Sequence, residues 1–270
     1  MRSKVTGRPK LCLALVTSVG FLAGLAASAQ MKPSRTIAIG EFTQQVHVSL
    51  KVGDTLRVVL PSTPSTGYSW HVAASNAMLK ATASSNTPGA QKGVGAPGRQ
   101  SLVFTAAAPG RGDLVLDYSR SWEKGKPAAR QYSIAVTVSN TAAHSAASPV
   151  LIAGGILQGT YSGKLPCADC SGLLTSIAFY AESAQTAAGY YVRTSTYLGA
   201  PKGDVVSIDA GHYLVQRGTP DKPGWTVFSL RSSTSDSLEN YLLQGDSLVP
   251  LGSNGKPIQS PFNMSLKKQP

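Results

Sequence analysis

The sequence predicts an all-β protein, with an antiparallel sandwich followed by a second strand-rich domain of small-barrel or sandwich type. Three observations carry this. Apolar and polar residues alternate over short runs, as in half-buried strands. Gly, Pro, Asp and Ser recur between the runs as turn residues. No long helical period is present anywhere beyond the first thirty residues.

The chain opens differently. Arg2, Lys4, Arg8 and Lys10 form a basic start, Leu11 to Ala26 is apolar and uncharged, and Ala27-Ser28-Ala29 offers small residues to a signal peptidase. Residues 1–29 are therefore expected to be a secretory signal peptide, which makes the protein periplasmic or secreted. The apolar run is short for a membrane span. Cys12 lies early in that run and not just after it, so soluble export without a lipid anchor or stable membrane insertion is expected.

The whole chain has 25 Lys and Arg against 13 Asp and Glu, a formal net charge of +12. Four of these cations lie in the leader. The others are scattered singly among Ser, Thr and Gly without a cluster or aromatic interleaving, which argues against a nucleic-acid partner. No paired carboxylates, Ser/His or Cys/His constellation stands out, so a binding protein is expected and not an enzyme. A monomer is expected.

Residues 140–149 read NTAAHSAASP, small, polar and aperiodic with a terminal Pro, which is linker composition. The expected division is a first domain at 31–140, a linker at 141–149 and a second domain at 150–270. In the first domain Val46, Val48 and Leu50 alternate up to a turn at Lys51-Val52-Gly53-Asp54. Leu56, Val58 and Leu60 follow. Leu114, Leu116 and Tyr118 form another set, and Tyr132, Ile134, Val136 and Val138 the last. In the second domain strands are expected at Gly159–Leu165, Leu174–Tyr180, Tyr190–Leu198, Val205–Ile208, His212–Gln216, Trp225–Leu230 and Tyr241–Gln244, with a short helix near Ser235–Leu243.

Three segments of the first domain break the strand pattern. Pro61 to Trp70 contains Pro64-Ser65-Thr66-Gly67-Tyr68; its two prolines stiffen the backbone and Gly67 permits a shape that other residues resist. Gly93-Val94-Gly95-Ala96-Pro97-Gly98-Arg99 has almost no side chains, so another backbone can approach it closely. Ser119-Arg120-Ser121-Trp122-Glu123 presents an Arg and a Trp together, the types most enriched at binding hot spots. Tyr68 and Trp70 alternate along a strand, which suits core packing as well as partner contact. Gly95 and Gly98 suit a long hairpin as well as a close approach.

Together these segments resemble the chagasin family of cysteine protease inhibitors, over about Ile37–Val138. That family carries an Asn-Pro-Thr-Thr-Gly-Tyr loop, a Gly-rich loop and an Arg-Pro-Trp loop on an immunoglobulin-like sandwich. Pro64, Thr66, Gly67, Tyr68 and Trp70 match the first motif, with Thr63 for its Asn and Ser65 for its first Thr. Gly95 to Gln100 resembles the second. Arg120 and Trp122 match the third, with Ser121 for its Pro. The resemblance implies a papain-like cysteine protease as partner. Its contacts would come from Pro64, Ser65, Thr66, Gly67 and Tyr68 in the first loop, Gly95, Pro97 and Gly98 in the second, and Arg120 and Trp122 in the third. The first loop would lie across the catalytic Cys and His, and the other two would grip the cleft walls.

In the second domain Leu165-Pro166-Cys167-Ala168-Asp169-Cys170 holds the two cysteines outside the leader. Such spacing serves redox exchange, half a metal site or a tight disulfide. In an oxidising compartment Cys167 and Cys170 are expected to pair. Reduced, their thiolates could hold copper(I). The segment resembles the N-terminal domain of the NlpE copper-resistance and envelope-stress lipoproteins, a lipocalin-like barrel, over most of Gly159–Ile258. Tyr197-Leu198-Gly199, Gly224-Trp225, Leu248 to Leu251 and Asn254-Gly255 continue the match. This implies an alternative function as an envelope copper-binding or stress-response module with a non-inhibitory sandwich.

Overall fold

The computed structural model describes residues 34–74, 77–89, 95–140, 149–200, 204–219 and 222–270. The leader, Gly93 and Val94 of the second loop, and 141–148 of the linker lie outside the described residues.

Before residue 141 lie β1 (Ser34–Ile39), β2 (Val46–Lys51), β3 (Thr55–Ser62), β4 (Tyr68–Ala74), β5 (Leu79–Pro88), β6 (Gly98–Ala106), β7 (Gly110–Arg120) and β8 (Arg130–Ser139). After the linker come β9 (Val150–Ile152), β10 (Ile156–Leu165), β11 (Gly172–Ala181), β12 (Ala188–Leu198), β13 (Val205–Thr219), β14 (Lys222–Ser232), β15 (Leu238–Gln244), β16 (Ser247–Leu251) and β17 (Leu266–Lys268).

One sandwich sheet runs β1-β3-β6-β5 and the other β4-β7-β8-β2-β9. The alternation read from sequence falls on the shared core: Val46, Val48, Leu50, Leu56, Val58, Leu60, Leu114, Leu116, Ile134 and Val136 are all buried. Not every pairing is antiparallel. β2 runs parallel to β8, and β1 parallel to β3. The reason is the turn after Lys51, which sends the chain from β2 to a strand in the opposite sheet, so β2 finds no hairpin partner of its own. Arg35 ties that turn together: its guanidinium meets Asp54 at 2.6 Å and donates to the Ser49 carbonyl, while Asp54 accepts from the Lys51 amide.

The strands β10 to β17 pair in chain order, all antiparallel, and β17 returns to β10. Because β12 also pairs β13, they close an eight-stranded barrel. Two expectations are corrected here. The segment near Ser235–Leu243 is not helical: β15 hydrogen-bonds β14 on one side and β16 on the other. A helix of that length is marginal in isolation, whereas strand neighbours on both sides pair Asn240, Tyr241 and Leu242. The strands expected at Val205–Ile208 and His212–Gln216 are one strand, β13. Gly211 is not a turn there; a Cβ on it would sit 2.2 Å from the Arg231 carbonyl oxygen. It is the place where two strands and the Tyr191 ring crowd together.

The two folds share structure. β1 inserts between β3 and β13, pairing Ile37 with Leu56 on one side and Ile208 on the other. The barrel wall therefore continues the sandwich sheet. β9, from beyond the linker, pairs antiparallel to β2 and buries Val150 and Ile152 in the sandwich. Tyr190 of β12 packs into the same core and donates its hydroxyl proton to the Ile152 carbonyl at 2.7 Å. One cluster of apolar side chains thus runs from Leu114 in the sandwich to Val192 and Ile208 on the outside of the barrel.

Candidate functional site

The strand directions bring three connections to one end of the sandwich. β3 leaves that end at Ser62 and β4 returns at Tyr68; β5 and β6 turn there between Pro88 and Gly98; β7 and β8 turn there between Arg120 and Arg130. The register fixes this, pairing Ser62 with Gly98 and Tyr68 with Arg120.

The first connection is a single tight turn, a 3₁₀ helix at Pro64–Thr66. The Thr66 amide and hydroxyl both donate to the Thr63 carbonyl, and the Gly67 amide donates to that of Pro64. Gly67 closes the turn in the left-handed region at φ +79, which an L side chain resists. The turn is anchored from below as well: the Thr63 amide donates to the Tyr118 hydroxyl at 2.8 Å. Pro64, Ser65 and Thr66 remain exposed.

The third connection folds back onto the first. Trp122 is 65% exposed, yet its ring rests against Gly67: a Cβ built on Gly67 would come within 2.1 Å of Trp122 Cη2. Arg120 links the two connections. Its Nε donates to the Thr66 carbonyl at 3.1 Å, its guanidinium lies 4.5 Å over the Tyr68 ring, and its Nη1 reaches Glu123 at 3.2 Å. That hydrogen bond from Arg120 holds the Glu123 carboxyl below its ordinary range. A lowered carboxylate pKa keeps the pair ionised above it, so the clamp is retained at mildly acidic pH and lost only as pH falls through the lowered value. Ser121 takes no part, and the turn is held instead by Glu123, whose amide donates to the Arg120 carbonyl and whose carboxylate also meets Lys126.

The glycine-rich connection joins through Ser65, whose hydroxyl accepts from the Gly95 amide at 2.9 Å. Pro97 is exposed beside it and accepts from the Gly89 amide. Gly98 has a different place from Gly95. It lies within β6, and a Cβ there would meet the Thr87 carbonyl oxygen at 2.7 Å; its small size lets β5 and β6 stay paired to the tip.

Trp70 is buried, donating its indole proton to the Pro61 carbonyl. It belongs to the support of the site and not to its surface. Tyr68 is half-buried and stacks on Tyr118. Beneath them sits Gln100, the last residue of the glycine-rich motif, whose bracing role the sequence does not show. Its buried amide group pairs with edge strand β4 as a neighbouring strand would, accepting from the Trp70 amide at 2.7 Å and donating to the Trp70 carbonyl at 3.0 Å. Gln100→Leu leaves both backbone groups without their partner, and stability is expected to fall by about 2 kcal/mol, the cost of burying unpaired polar groups. Urea unfolding monitored by circular dichroism measures this.

In the barrel, Cys167 and Cys170 form a disulfide in the β10–β11 connection. Joined, the sulfurs offer no thiolate, and among the described residues no three His, Cys, Asp or Glu side chains gather as a metal site. The pair does not fit a metal centre in this state.

Three connections thus gather on one end of a β-sandwich, braced from below. Residues 49–136 match the family described as Chagasin family peptidase inhibitor I42, and residues 161–261 match the NlpE N-terminal domain. Residues 49–136 are thus similar to chagasin-type inhibitors and residues 161–261 to the NlpE N-terminal domain, as their motifs imply. Among solved structures, the cysteine protease inhibitor EhICP2 from Entamoeba histolytica is 24% identical, covering 40% of this chain and 100% of that one, with a TM-score of 0.36. Amebosin is 27% identical over 40% of this chain and 100% of that one, at 0.33. PbICP-C, solved in complex with falcipain-2, is 22% identical over 39% and 100%, at 0.28. No curated protein matches the chain. Among the described residues no helix is long and apolar enough to cross a membrane.

Proposed function

We propose that the protein is an exported inhibitor of papain-like cysteine proteases, and that the joined loops are its inhibitory wedge. The observation that carries this is the exposed indole of Trp122 seated against Gly67, beside the Arg120 bridge to Thr66. A large aromatic kept in water yet fixed in place has already lost the freedom that binding would otherwise remove. Pro64, Ser65 and Thr66 project as the central edge, with Gly67 and Tyr68 shaping its return. Gly95 and Pro97 flank it on one side and Trp122 on the other. In this reading the central loop enters the catalytic cleft and no peptide bond of it is placed for cleavage, because the backbone there is turned into a 3₁₀ helix instead of lying extended. Inhibition is then reversible and needs no nucleophile or base on this chain.

Titrating papain with the full chain tests the proposal. Inhibition at micromolar concentration or below is expected, and Trp122→Ala is expected to weaken it by about 2 kcal/mol, roughly thirtyfold. The thermal midpoint should barely change, since the side chain is exposed. A folded protein that leaves papain fully active at micromolar concentration would remove the proposal.

A further inference from the structure

The barrel holds a feature with no part in the loop end of the sandwich. Eight strands enclose an interior just wide enough to be filled by side chains or to hold one small ligand. This barrel does both, at different ends. Near the disulfide end its interior is plugged by charge. Arg193 pairs with Asp209 at 3.1 Å and with Glu239 at 2.8 Å, and the Tyr241 hydroxyl donates to Glu239. Beside that plug the Arg193 guanidinium lies 5.9 Å from the centre of the Tyr191 ring. Toward the other end the filling stops, and a cavity of about 520 Å³ opens between the strands and the β11–β12 connection. That lies within the roughly 300–1,000 Å³ usual for small-molecule sites.

The cavity walls are ring faces and aliphatic groups. Tyr161, Phe179, Tyr213 and Phe228 contact one another edge-on, tilted or stacked, with centroids 5.0 to 6.5 Å apart. Val215 and Leu243 complete the apolar part. Burial raises the pKa of Tyr161 and Tyr213, which keeps both phenols uncharged at neutral pH. The rim is polar, with Gln158, Gln185 and Thr186. Of the described residues lining the cavity, Arg217 alone is charged. It shares the inward-facing parity of Tyr213 and Val215 on β13 and lies one step nearer the mouth, opposite Thr226. A cation at the mouth of an aromatic cup, with no carboxylate among the described lining residues, has no internal neutralising partner.

We infer that the barrel binds a single-chain carboxylate amphiphile, its head at Arg217 and its apolar chain among the four rings. The charge selects an anionic head, and the apolar lining selects the chain. The disulfide and the protease-facing loops take no part.

Isothermal titration of the full chain with dodecanoate tests this, with dodecanol as the uncharged comparison. Saturable one-to-one binding of dodecanoate is expected, tighter than that of dodecanol. Arg217→Gln, at an exposed position, should weaken dodecanoate about tenfold or more, as for loss of a charged hydrogen bond, and leave dodecanol unchanged. Val215→Trp, which places an indole in the cavity, should abolish binding of both while the circular dichroism spectrum stays that of the parent. Absence of one-to-one binding, or dodecanoate binding indifferent to Arg217→Gln, would overturn the inference even if Val215→Trp proved unstable.

Discussion

Replacing Gly67 by alanine is expected to weaken inhibition of papain about hundredfold. Two effects add. The left-handed backbone at Gly67 costs an L residue about 1–2 kcal/mol. The new methyl would also occupy the space of the Trp122 ring, 2.1 Å from Cη2, so the indole must leave its seat. Losing a preorganised hot spot is worth about 2 kcal/mol or more, and about 3 kcal/mol in all corresponds to the hundredfold loss. Folding should suffer less, because the turn is exposed and the core beneath it is untouched. Inhibition constants for Gly67→Ala, Trp122→Ala and the double variant measure the effect. Since the two changes act through one contact, the double variant should be only slightly weaker than Gly67→Ala. An affinity for Gly67→Ala within threefold of the parent would mean that the indole does not bind from this seat.

Ending the chain after Asn140 is expected to destabilise the sandwich by about 5 kcal/mol or more, a large part of a domain's usual stability of about 5–15 kcal/mol. The shortened chain loses β9 and with it Val150 and Ile152 over β2. β1 loses its partner β13, so Ile37 and Ile39 no longer pack beside Ile208 and Ala210. Each buried Val or Ile side chain contributes about 1.5–3 kcal/mol. The junction loses polar bonds too. Arg99, next to the glycine-rich connection, donates to Asp236 at 2.7 Å and to the Ser233 carbonyl, and the Gly40 amide donates to Ser233. Urea unfolding of the truncated and full chains compares them. A truncated domain within about 1 kcal/mol of the parent would show that the shared core contributes little to the sandwich.

The strands that were legible in the sequence are those buried on one face. Leu56, Val58 and Leu60 alternate cleanly because one sheet face meets the core and the other meets water. β5 gave no such signal: after Leu79 every side chain in it is exposed, and it forms only because β6 supplies backbone partners at the sheet edge. The parallel insertion of β1 was also hidden, since its partner Ile208 lies far along the chain and no local pattern records that pairing. Continuity of β13 was masked by Gly211, read as a turn when it marks crowding. At the loop end the residue types were legible, because Pro64, Gly67, Arg120 and Trp122 are unusual where they stand. Their bracing was not. Gln100 imitates a strand, the Tyr118 hydroxyl holds Thr63, and Ser65 holds Gly95. Each of these bonds joins distant positions through an ordinary polar residue.

Whether the loop wedge occupies the catalytic cleft is decided most directly by competition. Papain in which a peptidyl inhibitor covalently fills the cleft is compared with papain whose cleft is open, each titrated with the full chain. Binding to the open enzyme and loss of binding to the filled one is the result predicted here. Equal binding to both would place the protein elsewhere on the protease surface, and the cleft-blocking role of Thr66, Gly95 and Trp122 would be contradicted.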